Sequence, residues 1–226
     1  MFSNTHFLGS RPVVVRDAMA DWGALGKWGP EHFVKLYGGR SLEVGCNNRA
    51  LYGRLKEARG QNVIRDSEKL ECEEAMRKIL SSESGRSYYL QQQSIPDLFP
   101  ELMPDLRVPP WIPQEHLADV NLWFGSGGNV TPLHYDFSNN FLAQVTGVKH
   151  LILIAPEHFH RCYPNESANL FHLSLMDLEN PDYDHFPEFK DVPLIHATIR
   201  AGDLLYMPPF WWHFVTLEEP SISVNY

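Results

Sequence analysis

Cysteine is scarce in this chain, and the little there is lies scattered. Cys46, Cys72 and Cys162 are odd in number and form no C-x-x-C pair, which argues against a disulfide framework and against a structural zinc site. An intracellular setting, cytoplasmic or nuclear, fits such usage best. Long apolar runs are missing as well. No stretch approaches the roughly 18 apolar residues a membrane helix needs, so no membrane partner is expected. The opening MFSNTHFLGSRPVVV lacks the basic stretch and apolar core of a secretory signal. Positive charge is also in short supply, with Lys+Arg 19 against Asp+Glu 28 and a formal net charge of −9. Nucleic-acid affinity rests largely on Lys and Arg neutralising phosphates. With no basic run or tail, a nucleic-acid partner is not expected. Internal repeats and low-complexity segments are absent.

What is present is a core-forming chain. Its 226 residues suit one domain, or one with a small appendage. RPVVVRDA reads as a short buried strand and SLEVGC as another. WGPEHFVKLYGG reads as a helix with Pro30 at its start and Gly38-Gly39 at its end. SEKLECEEAMRKILSSE places Leu70, Ala75, Met76, Ile79 and Leu80 at helical spacing. SYYLQQQ returns to extended chain. PDLFPELMPDLRVPPWIP is proline-rich and expected to be irregular, with about one helical turn. The second half is strand-rich: DVNLWFG, VTPLHYDF, NFLAQVTG, KHLILIAP, IHATIRAG, DLLYMPP, HFVTLEE and SISVNY, separated by turn residues. This is the pattern of an antiparallel sandwich or barrel. The polar stretch at about 157–192 reads as an insert between two barrel strands, of a length often used for lids or binding loops. Residues 1–120 then form an N-terminal α/β flank and 121–226 the core of one structural unit.

Chemistry concentrates in TPLHYDF and PPFWWHF. Side chains alternate along a strand, so His134 and Asp136 point the same way and Tyr135 points to the other layer. Two imidazoles and a carboxylate hold one face of Fe(II) and leave the other open. His213, from a second strand, would complete the set. Alone, H-x-D is a weak signal in a chain with 11 histidines.

The company it keeps is more specific. GNVTPLHYDFSNNFLAQVTGVKHLILIAP, NPDYDHFPEF, GDLLYMPPFWWH and SVNY together resemble the JmjC branch of the Fe(II)- and 2-oxoglutarate-dependent oxygenases. The similarity covers nearly the whole chain and is densest from Asn121 to Tyr226. Within that branch the chain resembles the small hydroxylases, of the asparaginyl (factor-inhibiting-HIF) and arginyl types, and a tRNA wybutosine hydroxylase. The resemblance implies an all-β core with flanking helices: a double-stranded β-helix, or jelly roll. It implies Fe(II) on His134, Asp136 and His213, and 2-oxoglutarate as cosubstrate. It implies hydroxylation of an amino-acid side chain in a protein or peptide, with succinate and CO2 as co-products.

The resemblance also assigns contacts, each with a plainer alternative. Lys149 in TGVKHLI is implied as partner of the far carboxylate, where spacing alone leaves open a strand-end lysine reaching solvent. Thr131, Asn140, Tyr89 and Asn225 match positions that hydrogen-bond the cosubstrate. Asn140 can equally be a turn residue, and Tyr88 can be the inward residue in place of Tyr89. Gln91, Trp123 and Trp212 match or border substrate positions; for Trp212, packing around His213 is the plainer role. Where the asparaginyl enzyme carries an Arg-Gln pair, this chain has His172 and Leu173. Leucine cannot make those hydrogen bonds, so an asparagine substrate does not carry over. Relatives continue past SVNY, some with dimer-forming helices, and a homodimer is expected if such an extension follows here. The competing readings are the same chemistry on a modified tRNA base or small metabolite, N-methyl-lysine demethylation, a zinc hydrolase, and a metal-binding cupin without turnover.

Overall fold

The computed structural model describes residues 6–46, 66–81, 87–166 and 170–226. Among them are twelve strands in two antiparallel sheets. The core begins with β5 (Asn121–Gly125), β6 (Val130–Tyr135), β7 (Asn140–Thr146) and β8 (Val148–Ile154). It ends with β9 (Ile195–Arg200), β10 (Leu204–Met207), β11 (Trp212–Leu217) and β12 (Ser221–Asn225). Strands β5, β7, β10 and β12 lie in one sheet, and β6, β11, β8 and β9 form the other. The chain repeatedly crosses between layers, which is the jelly roll expected. The larger sheet is extended by β1 (Val13–Val15) beyond β10, and by β4 (Tyr88–Ser94), β2 (Ser41–Cys46) and β3 (Asp66–Glu71) beyond β5. Gly147 makes the one-residue turn from β7 to β8 with φ +74. A Cβ there would lie 2.6 Å from the Pro220 carbonyl oxygen, so only glycine fits.

Period-two alternation sorts the side chains into three apolar layers. Phe124, Ile222, Val224, Phe141 and Val145 point outward from the large sheet. They are covered by α1 (Pro30–Tyr37) and α2 (Cys72–Leu80). The α1 side chain Phe33 packs edge-on to Phe124, with centroids 5.3 Å apart. Leu142, Leu151, Leu153, Leu205 and Val215 face the barrel interior. The outer face of the small sheet carries Leu133, Tyr135, Ile154, Trp212 and Phe214, beneath Cys162, Met176, Phe189 and Val192 of the insert. Among the described residues, no helix is long and apolar enough to cross a membrane.

Three sequence expectations shift. The helix read from Ser67 begins only at Cys72; Asp66–Glu71 is a strand, with Leu70 opposite Leu42 of β2. The helical period of this stretch starts at Cys72, and ladder pairing with β2 takes the residues before it. Residues 82 and 83 of that reading lie outside the described residues. The proline-rich stretch holds two helical turns, α3 (Ile95–Leu98) and a 3-10 turn at Pro100–Asp105, each opened by a proline. Much of the insert is a structural layer rather than a free lid.

Trp212 is fully buried in that outer layer, 4.7 Å from the Tyr135 ring. Trp212→Ala should therefore lower unfolding stability by roughly 3–5 kcal/mol. Trp212→Phe should cost much less, because the indole N–H has no partner among the described residues. Chemical denaturation of the two variants checks this.

Candidate metal centre

Strand pairing brings the three expected ligands together. His213, second in β11, lies directly opposite His134 in β6. A register shift follows between His213 and Val215. Because of it, Thr131 pairs with Val215 while His134 keeps its place beside His213. Asp136 follows the last residue of β6. The imidazole centroids are 4.0 Å apart, and His213 Nε2 is 3.7 Å from Asp136 Oδ2. One donor atom from each residue lies within 4.8 Å of the others, a spacing one ion can bridge. Each histidine also places Nδ1 on a carbonyl two residues earlier, His134 on Pro132 at 2.7 Å and His213 on Trp211 at 3.1 Å. Such bonds set the tautomer and leave Nε2 free for a metal.

The electrostatics suit a cation. Burial, reinforced by the neighbouring His213, pushes the His134 pKa down to about 3, so its imidazole is neutral and able to ligate. Burial pulls the Asp136 carboxyl up, but His213, His134 and a hydrogen bond from Asn140 together bring it below the usual value. The Asn140 amide lies 3.5 Å from Asp136 Oδ2, and its own Oδ1 is buried without a partner among the described residues.

Three inward rows run from this centre along the small sheet. His134, His213 and Leu153 form the first, Thr131, Val215 and Leu151 the second, and Leu217 with Lys149 the third. Lys149 is 2% exposed and is the one charged side chain among the largest fully buried ones. Its ammonium meets the Tyr89 hydroxyl at 3.3 Å and has no acidic partner among the described residues. Burial alone lowers its pKa to about 7. A buried, uncompensated ammonium is costly, and an anion beside it would relieve the cost. Tyr89, not Tyr88, is the inward residue: Tyr88 packs into the outer core. The Tyr89 ring occupies the space over Gly125, where a Cβ would come within 2.5 Å.

On the facing sheet, Trp123 donates its indole N–H to Asn225 Oδ1 at 2.7 Å and lies 5.9 Å from the Tyr89 ring. Gln91 follows Tyr89 on β4, half-buried, its carbonyl bonded by the Gln93 amide. Trp212, expected near substrate, is corrected: next to an inward His213, it must point outward, and it does. The structure adds a neighbour that spacing did not reveal. The insert forms a short edge against β6, with Leu173 opposite His134 and the His172 carbonyl accepting from Tyr135 N–H at 3.0 Å. His172 is close enough to act electrostatically on both His134 and Asp136. The only sequence signal was the substitution of His172-Leu173 for a polar pair.

Lys149 gives this arrangement a testable stability signature. Its folded pKa lies below the unfolded value of about 10.4. Between about 7 and that value the unfolded chain holds more protons, so stability should rise with pH across this window. Lys149→Met should flatten the rise and stabilise the protein at pH values below about 7. Urea unfolding on either side of the window measures both effects.

Comparison with known proteins agrees with this geometry. The cupin-like domain family matches residues 1–226. JmjC domain-containing protein D of Dictyostelium discoideum is 30% identical over 242 residues, covering 99% of this chain and 52% of that protein. Lysine-specific demethylase JMJ30 of Arabidopsis thaliana is 32% identical over 228 residues, covering 100% and 51%. The human bifunctional peptidase and (3S)-lysyl hydroxylase JMJD7 is 26% identical over 248 residues, covering 96% and 77%. The chain thus spans about half the length of the first two relatives. JmjC enzymes use Fe(II) and 2-oxoglutarate, and His134, Asp136 and His213 form a group that could hold the metal. With the whole chain matched and the fold in agreement, the protein belongs to the cupin-like domain family and, within it, to the JmjC type.

Proposed function

We propose that this protein is an Fe(II)- and 2-oxoglutarate-dependent dioxygenase that hydroxylates an amino-acid side chain in a protein or peptide. The observation that carries this reading is the pairing of a three-ligand centre with a buried, uncompensated lysine two ladder rows away. A site that only holds metal has no use for that lysine. Bound iron with 2-oxoglutarate supplies oxidative decarboxylation to succinate and CO2, coupled to oxygen insertion at a C–H bond.

The remaining roles fall to the chain's own groups. His134, Asp136 and His213 hold the metal. Lys149 and the Tyr89 hydroxyl bind the far carboxylate of the cosubstrate, with Thr131 between them and the metal. Asn140 orients the Asp136 carboxylate. Leu151, Leu153 and Val215 exclude water from the interior. Trp123, held by Asn225, forms a wall facing the substrate, and Gln91 is assigned to the same side. The protein-substrate reading draws support from a relative named a lysyl hydroxylase. Others are named lysine-specific demethylases, so loss of an N-methyl group is the second outcome to score.

Anaerobic loading with Fe(II) and 2-oxoglutarate, followed by O2 and a peptide library, should yield succinate and peptides heavier by one oxygen. His134→Ala should yield neither. Absence of succinate above that control overturns the reading; peptides lighter by a methylene select demethylation. 2-Oxoglutarate binding near pH 8 should be accompanied by proton uptake, because the dianion restores the charge that burial suppresses on Lys149. Calorimetry in buffers of different ionisation enthalpy detects it, and Lys149→Met should abolish both the binding and the proton.

A further inference from the structure

The metal centre is open on one side. The His213 side chain is 6% exposed, whereas that of Asp136 is 45% exposed, so solvent and substrate approach past the carboxylate. Three phenylalanines gather around the backbone of Asp136 at this end of the barrel, on the Tyr135 side of β6. Phe137 follows Asp136 in the chain, Phe210 donates its backbone N–H to the Asp136 carbonyl at 2.8 Å, and Phe171 comes from the insert next to His172. Phe137 lies 5.6 Å from Phe171 and 6.0 Å from Phe210, centroid to centroid. Their exposures are 54%, 43% and 48%. Tyr135 supports the group from below, 5.4 Å from Phe137 and 6.0 Å from Phe210.

Folding alone does not account for this cluster. Each ring leaves about half its surface in water, and a contiguous exposed apolar patch marks a contact site. Phe210 sits in the left-handed region with φ 65, an unfavourable conformation for a bulky residue, and the bond to Asp136 holds it there. Such strain collects at functional sites. Three separate segments converge on the patch: the end of β6, the turn before β11 and the insert.

We propose that Phe137, Phe171 and Phe210 form a docking platform for an apolar or aromatic side chain of the peptide substrate, a few residues from the one that is modified. The proposal rests on the peptide-hydroxylase reading above. The occupant follows from continuity with the opening: a polymer that delivers one side chain past Asp136 lays its neighbours on whatever rims that side. Phe137 is one Cα step, about 3.8 Å, from a metal ligand, so the platform is within a few residues' reach along an extended peptide. The platform selects for sequence context. The centre itself, with Leu173 opposite His134, selects for the reacting group.

The test uses short peptides in which each position around a fixed centre is varied among Leu, Phe, Ser and Asp. Wild type should favour Leu or Phe within a few residues of the oxidised one. Phe171→Ser should raise KM for those peptides by about tenfold, toward the value for Ser-flanked peptides, with little change in kcat. Phe210→Asn, which tolerates the left-handed backbone, should do the same. Fluorescence anisotropy of a labelled Phe-containing peptide on the metal-free protein should show the same weakening without any turnover. Co(II) absorption reports whether the centre survives each change. Phe171→Ser, remote in sequence from the ligands, is decisive if Phe210→Asn disturbs it. Oxidation indifferent to flanking residues, or variants with wild-type peptide affinity, overturns the platform and leaves the hydroxylase reading standing. Succinate formation with no peptide bound or oxidised overturns both. Phenylalanine-dependent self-association with unaltered peptide affinity assigns the patch to a second copy of the chain and also overturns the proposal.

Discussion

The register between β6 and β11 is the constraint on which the rest depends. His213 can join His134 and Asp136 in one ligand group only because it lies opposite His134. Side chains alternate with period two, so a slip of one residue would turn His213 out and bring Trp212 in. The barrier to that slip is built from the same strands. Trp212, Tyr135, Leu133 and Phe214 fill a dry outer layer under the insert, and a slipped strand would put histidine there and indole in the barrel. The irregularity between His213 and Val215 then lets Thr131 also face inward without disturbing the pairing at the ligands.

A second constraint opposes the first. Packing rewards an apolar interior, yet Lys149 sits fully inside, hydrogen-bonded to the Tyr89 hydroxyl. The protein tolerates the ammonium because burial lets it release its proton near neutral pH. On the proposed reading, the same burial would make the group responsive to an incoming dianion. Gly125 belongs to this arrangement too: its missing side chain is the space the Tyr89 ring occupies. Stability is thus given up at one point of the barrel, the point where the proposed cosubstrate would restore it.

The legible and illegible parts of the sequence divide along physical lines. The eight core strands were readable because apolar alternation and Gly, Pro and Asn turns repeat through the second half. The grouping of His134, Asp136 and His213 was readable because H-x-D on a strand has a forced geometry; the burial of Lys149 was not, because spacing alone left a strand-end lysine reaching solvent equally open. Asp66–Glu71 was misread because a polar edge strand running straight into a helix has no turn residue between them. Trp212 was placed near substrate by proximity in sequence to His213, although adjacency in a strand means opposite faces. The Phe137, Phe171 and Phe210 cluster was invisible, since nothing local signals that three distant phenylalanines gather around Asp136.

The insert shows how the surroundings of such a site can vary while its candidate ligands stay in place. Its buried residues, Met176, Phe189 and Val192, anchor it to the outer face of the small sheet. The segment around Leu173 hydrogen-bonds along β6 beside His134. The anchors and the residues beside His134 are thus different side chains of one loop. Exchanging a polar pair for His172 and Leu173 changes what lies beside the reacting position while the anchors and the ligand register stay in place. On the oxygenase reading, a loop built this way would separate substrate choice from fold stability.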